Sequence, residues 1–304
     1  MQKATLSILG CGSALPTHKN FPTAQVLEIR DKQFMIDCGE GTQIRMRQMG
    51  LKTNRLGHIF ISHLHGDHCF GLIGLISSFG MLNRTAELHI HAQADLEKLL
   101  QPQLAYFCSD LPFNVIFHAI NPRKHELIYE DRSVNVYSIP LKHRVPCCGF
   151  LFEEKPRDRH IIREMIDFYK IPTWRIPKIK QGEDFTTEEG EVIPNSQLTK
   201  AGESPKRFAY CSDTAYSEKI IPIIEGIDCL YHEATFMEDE KVRSKQTEHS
   251  TARQAATIAS KANVKQLIIG HYSARYTNQN ALLAEAKEVF ENTILGEDMK
   301  TYEI

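Results

Sequence analysis

An α/β fold is the expectation, and three features of the sequence predict it. Short β-branched and aromatic runs alternate with helical patterns along most of the chain, the rhythm of helices packed on sheets. Several of these runs stop at a histidine or an aspartate, so polar groups gather where apolar strands end. Between two βα-rich portions, residues 1–150 and 205–304, the stretch from Glu153 to about Ser204 loses apolar periodicity and gains Pro156, Pro172, Pro177 and Pro194.

In chain order, TLSILG, AQVLEIR and QFMIDCG predict successive strands, and GTQIRMRQMG predicts a short helix closed by Gly50. HIFIS is the next strand, and GLIGLISSFGML reads as a buried helix. Further strands are expected at LHIHA, VIFHAI, VNVYSIPL, RFAYCSD, DCLYHEA and QLIIGH. Helices are expected at ADLEKLLQPQLAYF, TARQAATIASKA and NALLAEAKEVFENTI.

With 304 residues, 42% of them hydrophobic and 24% charged, the chain can bury a sizeable core and has the composition of a globular protein. A formal charge of −2 gives no global basic field, although a local basic surface remains compatible with a nucleic-acid partner. Glycine, serine and proline interrupt the first apolar stretch, MQKATLSILGCGSALP, before a secretory segment is complete. A soluble, cytoplasmic protein is therefore expected. The eight cysteines include no CxxC pair, which argues against a disulfide framework. Adjacent Cys147 and Cys148 read as small residues at a strand start.

The chemistry concentrates in IFISHLHGDHCFGL. His63, His65, Asp67 and His68 follow an apolar strand and precede a helix, so one strand-to-helix loop aims imidazoles and carboxylate at one place. These are the usual ligand types for zinc and similar divalent ions. Three more candidates sit at strand ends: His143 after VNVYSIPLK, Asp213 after RFAYCS and His271 after QLIIG. Such a set suits two ions better than one, especially if Asp213 bridges them. Two ions about 3.5–4 Å apart clamp the attacking and leaving oxygens of a phosphoester displacement.

HLHGDH resembles the signature of the metallo-β-lactamase superfamily, and further stretches resemble the ribonuclease Z family within it. These are ILGCGSALPT, YCSDTAY, YHEAT, EHST and GHYSARY, spanning about Leu6 to Tyr276. The resemblance implies a four-layer αββα sandwich of residues 1–304 with metals at one edge of its two sheets. It implies that His63, His65 and His143 bind one Zn2+, that Asp67, His68 and His271 bind the other, and that Asp213 bridges, with Mn2+ or Co2+ as possible substitutes. Asp67 would also accept a proton from the nucleophilic water. Glu233 of YHEAT and His249 of EHST would pair to orient or protonate the leaving 3′-oxygen.

The family also implies a homodimer and an inserted arm that grips tRNA, at the place occupied here by residues 153–204. Lys155, Arg157, Arg159, Arg163, Arg175, Lys178 and Lys180 are the candidate phosphate contacts, with Lys170 adding to the basic balance. Where many members carry Gly-Pro in this arm, the chain has Trp174-Arg175, and Trp174 is expected to pack against the arm's base. The leading expectation is an endoribonuclease that removes the 3′ trailer of precursor tRNA after the discriminator nucleotide. A small-molecule phosphodiesterase or thioesterase would keep the metals without needing the arm. A non-catalytic tRNA-binding protein would be expected to lack ligands, and all seven candidates are present.

Overall fold

The computed structural model describes residues 4–202 and 204–304; residues 1–3 of the expected domain and Glu203 of the expected insertion lie outside the described residues. Six strands come first: β1 (Thr5–Gly10), β2 (Ala24–Ile29), β3 (Lys32–Ile36), β4 (Leu56–Phe60), β5 (Leu88–Ala92) and β6 (Val115–Ala119). Next come β7 (Leu127–Glu130), β8 (Val134–Pro140) and β9 (Cys148–Glu154), then the short β10 (His160–Ile161), β11 (Phe185–Thr186), β12 (Val192–Ile193) and β13 (Thr199–Lys200). The series ends with β14 (Arg207–Cys211), β15 (Cys229–Glu233), β16 (Gln266–Gly270), β17 (Thr293–Leu295) and β18 (Lys300–Glu303). The helices are α1 (Thr42–Gln48), α2 (Gly66–Cys69), α3 (Leu72–Met81), α4 (Asp95–Phe107), α5 (Arg163–Phe168), α6 (Ile176–Lys180), α7 (Asn195–Leu198), α8 (Lys241–Thr247), α9 (Ala252–Lys261) and α10 (Asn280–Lys287).

Two seven-stranded sheets result, ordered β18-β1-β2-β3-β4-β5-β6 and β17-β16-β15-β14-β9-β8-β7. The change of sheet falls between β6 and β7, inside the first of the two βα-rich portions. β18 returns to cover the edge of β1, pairing Glu303 with Thr5 and Lys300 with Ile8. Alternation along β4 shows how the layers form. Ile59 joins the cluster in which Met46, Leu75, Phe79 and Leu96 of α1, α3 and α4 cover the first sheet. Phe60 faces the other way, with its ring 5.5 Å from Phe150 of the second sheet. Ala255, Ala259 and Leu282 of α9 and α10 belong to the same core as the second sheet, completing the αββα order. α9 starts at a capping box, in which Thr251 Oγ1 accepts from Gln254 N–H and Gln254 Oε1 accepts from Thr251 N–H.

The expected helix NALLAEAKEVFENTI ends early, at Lys287, because β-branched Thr293 and Ile294 pair with β16 as β17. β7, β17, β18 and α8 were not anticipated. Cys148 opens β9, Cys147 is buried beside it, and all eight cysteines are free thiols.

The chain folds as two compact units, Met1–Glu153 with Lys206–Ile304, and Glu154–Pro205. The second has its own core of Ile171, Ile179, Phe185, Ile193 and Leu198, so it is a packed body rather than a solvated charged excursion. Asn195 secures it, donating to Ile179 O at 2.6 Å and Glu183 O at 2.8 Å and accepting from Thr199 Oγ1 at 2.8 Å.

In the first sheet, strand register sets His58 beside His89 and His91 beside His118. His58 Nδ1 lies 3.2 Å from His91 Nε2, and His89 Nδ1 lies 3.0 Å from His118 Nε2. Burial first, then the neighbouring imidazoles, pushes His58 down to about 4 and His91 down to about 2. In an unfolded chain these groups bind protons near pH 6.5. Their contribution is thus complete above that pH and is lost as pH falls towards 4, because the unfolded state takes up protons first. Between pH 7 and 4.5, the urea midpoint is expected to fall less steeply in His91→Gln than in the wild type. Identical slopes would contradict this account of His58 and His91.

Candidate metal centre

β3, β4, β5 and β6 run parallel, as do β14, β15 and β16, so within each series the C-terminal ends lie along one sheet edge. The residues just beyond those ends carry the site. Asp37, Asp213 and His271 all adopt left-handed backbone there, with φ of 56°, 59° and 59°. Few non-glycine residues take this conformation, and it swings each side chain out of the strand's alternation towards the edge. His63 and His65 follow β4 in extended loop, as expected, but Asp67 and His68 fall within the single turn of α2.

The structure brings all seven ligand candidates together. His63, His65, His143 and Asp213 form one group, and Asp67, His68 and His271 another, with donor atoms inside each group within 4.8 Å of one another. Asp213 faces both. Its Oδ2 lies 3.7 Å from His63 Nε2 and 3.8 Å from His143 Nε2, whereas its Oδ1 lies 3.2 Å from both His68 Nε2 and His271 Nε2. Asp67 Oδ2 approaches His68 Nε2 at 3.4 Å and His271 Nε2 at 3.8 Å. His63 Nε2 and His65 Nδ1 are 2.9 Å apart.

Each deeply placed imidazole is tied by Nδ1 and presents Nε2. His63 Nδ1 meets Ser62 Oγ at 3.1 Å, His68 Nδ1 meets Asp37 Oδ2 at 2.8 Å, His143 Nδ1 meets Glu248 O at 3.1 Å and His271 Nδ1 meets Thr235 Oγ1 at 3.0 Å. The Nε2 atoms of His68, His143 and His271 are buried and have no hydrogen-bond partner. Leaving them so is costly unless a cation accepts their lone pairs, and fixing the tautomer through the other ring nitrogen is how proteins prepare histidine ligands. Burial alone would raise the Asp213 pKa, but the His271, His68 and His63 imidazoles outweigh it and hold the carboxyl well below its usual range. A His/Asp cluster able to bind metal is therefore in place.

Asp37, fully buried, is one functional residue that sequence reasoning missed. It accepts from Ser62 N–H at 2.8 Å, Ser62 Oγ at 2.9 Å, Tyr210 OH at 2.7 Å and His68 Nδ1. Its signal was available, since Asp37 ends the apolar run QFMI as Asp213 ends its own. In Asp37→Asn, metal affinity should fall by about 10–100-fold, the usual cost of losing such support, as measured by competition with a zinc chelator. Unchanged affinity would remove Asp37 from the site.

Glu233 ends β15 fully buried and accepts from Thr214 N–H at 2.6 Å, Thr235 Oγ1 at 2.5 Å, Ser250 N–H at 3.0 Å and His249 Nδ1 at 2.8 Å. The expected Glu233–His249 pair is thus formed, and Glu233 also pins the segments around Thr214 and Ser250. Burial disfavours a charged His249, but Glu233 more than compensates, pushing its pKa up to about 9. The His249 ring stacks on His271 with centroids 5.4 Å apart, inside the centre. His232 points elsewhere in function: it is buried, with Nδ1 2.8 Å from Glu233 O.

A cleft of about 620 Å³ adjoins the metal-facing residues, with His143 in its wall and Arg123, Lys142, Arg144 and Lys219 around it. Sequence reading missed these cations because separate loops supply them. Of the insertion's cations, Arg163 and Lys178 are exposed, while Lys155, Arg175 and Lys180 are partly covered. Arg157 binds Glu154 at 2.7 Å and Arg159 donates to Thr199 Oγ1 at 2.6 Å, so both hold the insertion's own fold. Trp174 is 70% exposed, contrary to the expected packing, with the Arg175 guanidinium 5.5 Å from its ring centroid.

Two family models match: "Anti-Pycsar protein Apyc1" over residues 4–162 and "Beta-lactamase superfamily domain" over residues 197–272. The chain is 60% identical to ribonuclease Z of Parabacteroides distasonis over 96% of each sequence, and 58% identical to that of Bacteroides fragilis over 98% of each. Among solved structures, human short-form tRNase Z superposes with a TM-score of 0.72 at 22% identity, covering 99% of both chains. YhfI of Bacillus subtilis, a metallo-β-lactamase fold protein, gives 0.69 at 17% identity over the full length of both. The structural likenesses establish the fold. With near-full-length relatives at these identities, the chain belongs to the ribonuclease Z family and is an endoribonuclease, a phosphodiester hydrolase on the metallo-β-lactamase fold.

Proposed function

We propose that this endoribonuclease removes the 3′ trailer of precursor tRNA with two Zn2+, cutting after the discriminator nucleotide to leave a tRNA 3′-hydroxyl and a trailer 5′-phosphate. The observation that carries the two-ion reading is Asp213, which turns one carboxylate oxygen towards each ligand group. His63, His65 and His143 would hold one ion, Asp67, His68 and His271 the other, and Asp213 would serve both. Bound there, zinc supplies Lewis-acid stabilisation of the phosphoryl oxygens and activation of the attacking water. Mn2+ or Co2+ would fit the same His/Asp donors.

The protein's own groups handle the protons. Asp67 accepts one from the attacking water. Glu233 favours the charged imidazole of His249, and with Nδ1 held by that carboxylate its Nε2 is the atom that delivers the proton to the leaving 3′-oxygen. Glu233 acts through His249 and is a positioning residue.

In this reading residues 1–304 are one catalytic domain, and residues 153–204 are its tRNA-binding arm. Arg163 and Lys178, with Lys155, Arg175 and Lys180, supply phosphate contacts, and exposed Trp174 offers a stacking face. The cationic cleft beside His143 receives the strand near the scissile bond. A homodimer is favoured by exposed Ile44, Met81, Leu99, Tyr106 and Phe107 on α1, α3 and α4. Among the described residues no helix is long and apolar enough to cross a membrane; a precursor tRNA substrate supports a cytoplasmic location in this reading.

The test is Asp67→Ala with a trailer-bearing precursor. Loss of cleavage with retained tRNA binding is expected. Cleavage at the wild-type rate would remove Asp67 from the mechanism.

A further inference from the structure

The four imidazoles of β4, β5 and β6 lie outside the metal centre, and no step proposed above uses them. We infer that the outer pair, His89 and His118, is a separate binding site for one late first-row divalent ion, with Cu2+ the strongest binder.

The geometry is that of a prepared clamp. His89 Nδ1 and His118 Nε2 are 3.0 Å apart, close to the 2.9 Å between His63 Nε2 and His65 Nδ1 in the centre. At this separation both nitrogens reach one ion lying about 2.0–2.1 Å from each. Neighbouring rings hold the pair in place: His58 stacks on His89 with centroids 4.8 Å apart, and His91 on His118 at 4.5 Å with planes 12° apart. Little side-chain freedom is therefore left to lose on binding.

Protonation state and access also suit an ion. Burial and the neighbouring His89 lower the His118 pKa, which keeps its ring neutral and its lone pair available at neutral pH. Binding through these two nitrogens leaves the other nitrogen of each ring free of the ion. His89 then keeps its proton on Nε2, facing the Glu87 carboxylate 3.8 Å away, and His118 keeps its proton on Nδ1. β6 is the last strand of its sheet and His118 is exposed, so an ion can arrive from solvent without the sheet opening. Water would complete the coordination. The inner pair is less accessible: His91 is buried, and its Nδ1 has no hydrogen-bond partner. Among divalent ions at a nitrogen site, Cu2+ binds most tightly, which makes it the probe of choice.

The experiment titrates Cu2+ into protein whose catalytic centre is already filled with zinc and follows the copper by electron paramagnetic resonance. One Cu2+ per chain is expected, with hyperfine coupling to two imidazole nitrogens and no loss of zinc. In His118→Ala and separately in His89→Ala that signal should disappear, while precursor cleavage and the far-ultraviolet circular dichroism stay as in the wild type. Absence of the two-nitrogen signal in the wild-type protein, or its persistence in both variants, would overturn the assignment.

Discussion

Asp213→Asn protein is expected to cleave precursor tRNA at least about 10³-fold more slowly than the wild type, since several kcal/mol of charge stabilisation is lost at about 1.4 kcal/mol per tenfold. The substitution is chosen for its backbone. Asp213 sits at φ 59°, a conformation that asparagine tolerates, so the fold around Cys211 and Thr214 should persist. What changes is the chemistry: one oxygen becomes an amide nitrogen, and the carboxylate that faces both His63/His143 and His68/His271 is gone. Bound zinc should fall by at least one ion per chain in metal analysis, together with the rate. Full zinc content with wild-type cleavage would show that Asp213 does not join two sites.

Replacing residues 155–205 with a short glycine-rich linker should separate substrate recognition from hydrolysis. Deleting one of two linked binding elements forfeits avidity, a loss of about 10²–10⁴-fold in apparent affinity. The KM for precursor tRNA should rise accordingly, while hydrolysis of bis(p-nitrophenyl) phosphate stays within a few-fold of wild type. Retained hydrolysis also demonstrates that the remaining unit has folded. A subtler pair, Arg163→Glu and Lys178→Glu, alters two exposed cations without touching the core of Ile171, Ile179 and Phe185, and should reduce the salt dependence of tRNA binding. Precursor cleavage unaffected by the excision would contradict the role given to the arm.

Much of the centre was legible because its residues obey a simple rule: a ligand type directly after an apolar strand. His143, Asp213 and His271 were found this way, and the structure places all three beside the HLHGDH cluster. Asp37 obeys the same rule but was missed, because it stands alone and its contribution appears only when Ser62, His68 and Tyr210 converge on it. The cationic cleft was illegible for a related reason, since Arg123, Lys142, Arg144 and Lys219 become neighbours only through the fold. The α/β alternation predicted the long strands well. It failed where short strands depend on their partners: Thr293–Leu295 continues a helical pattern, yet an open position beside β16 makes it β17. In the insertion, charge alone could not separate exposed Arg163 from Arg159, whose guanidinium is held by Thr199.

Mapping the new ends of a trailer-bearing precursor at single-nucleotide resolution distinguishes the proposed two-metal maturation of tRNA 3′ ends from other ribonuclease chemistry. A single cut after the discriminator is expected, with a 3′-hydroxyl on the tRNA and a 5′-phosphate on the trailer. Cuts scattered along the trailer, or a 2′,3′-cyclic phosphate at the new tRNA end, would contradict the account.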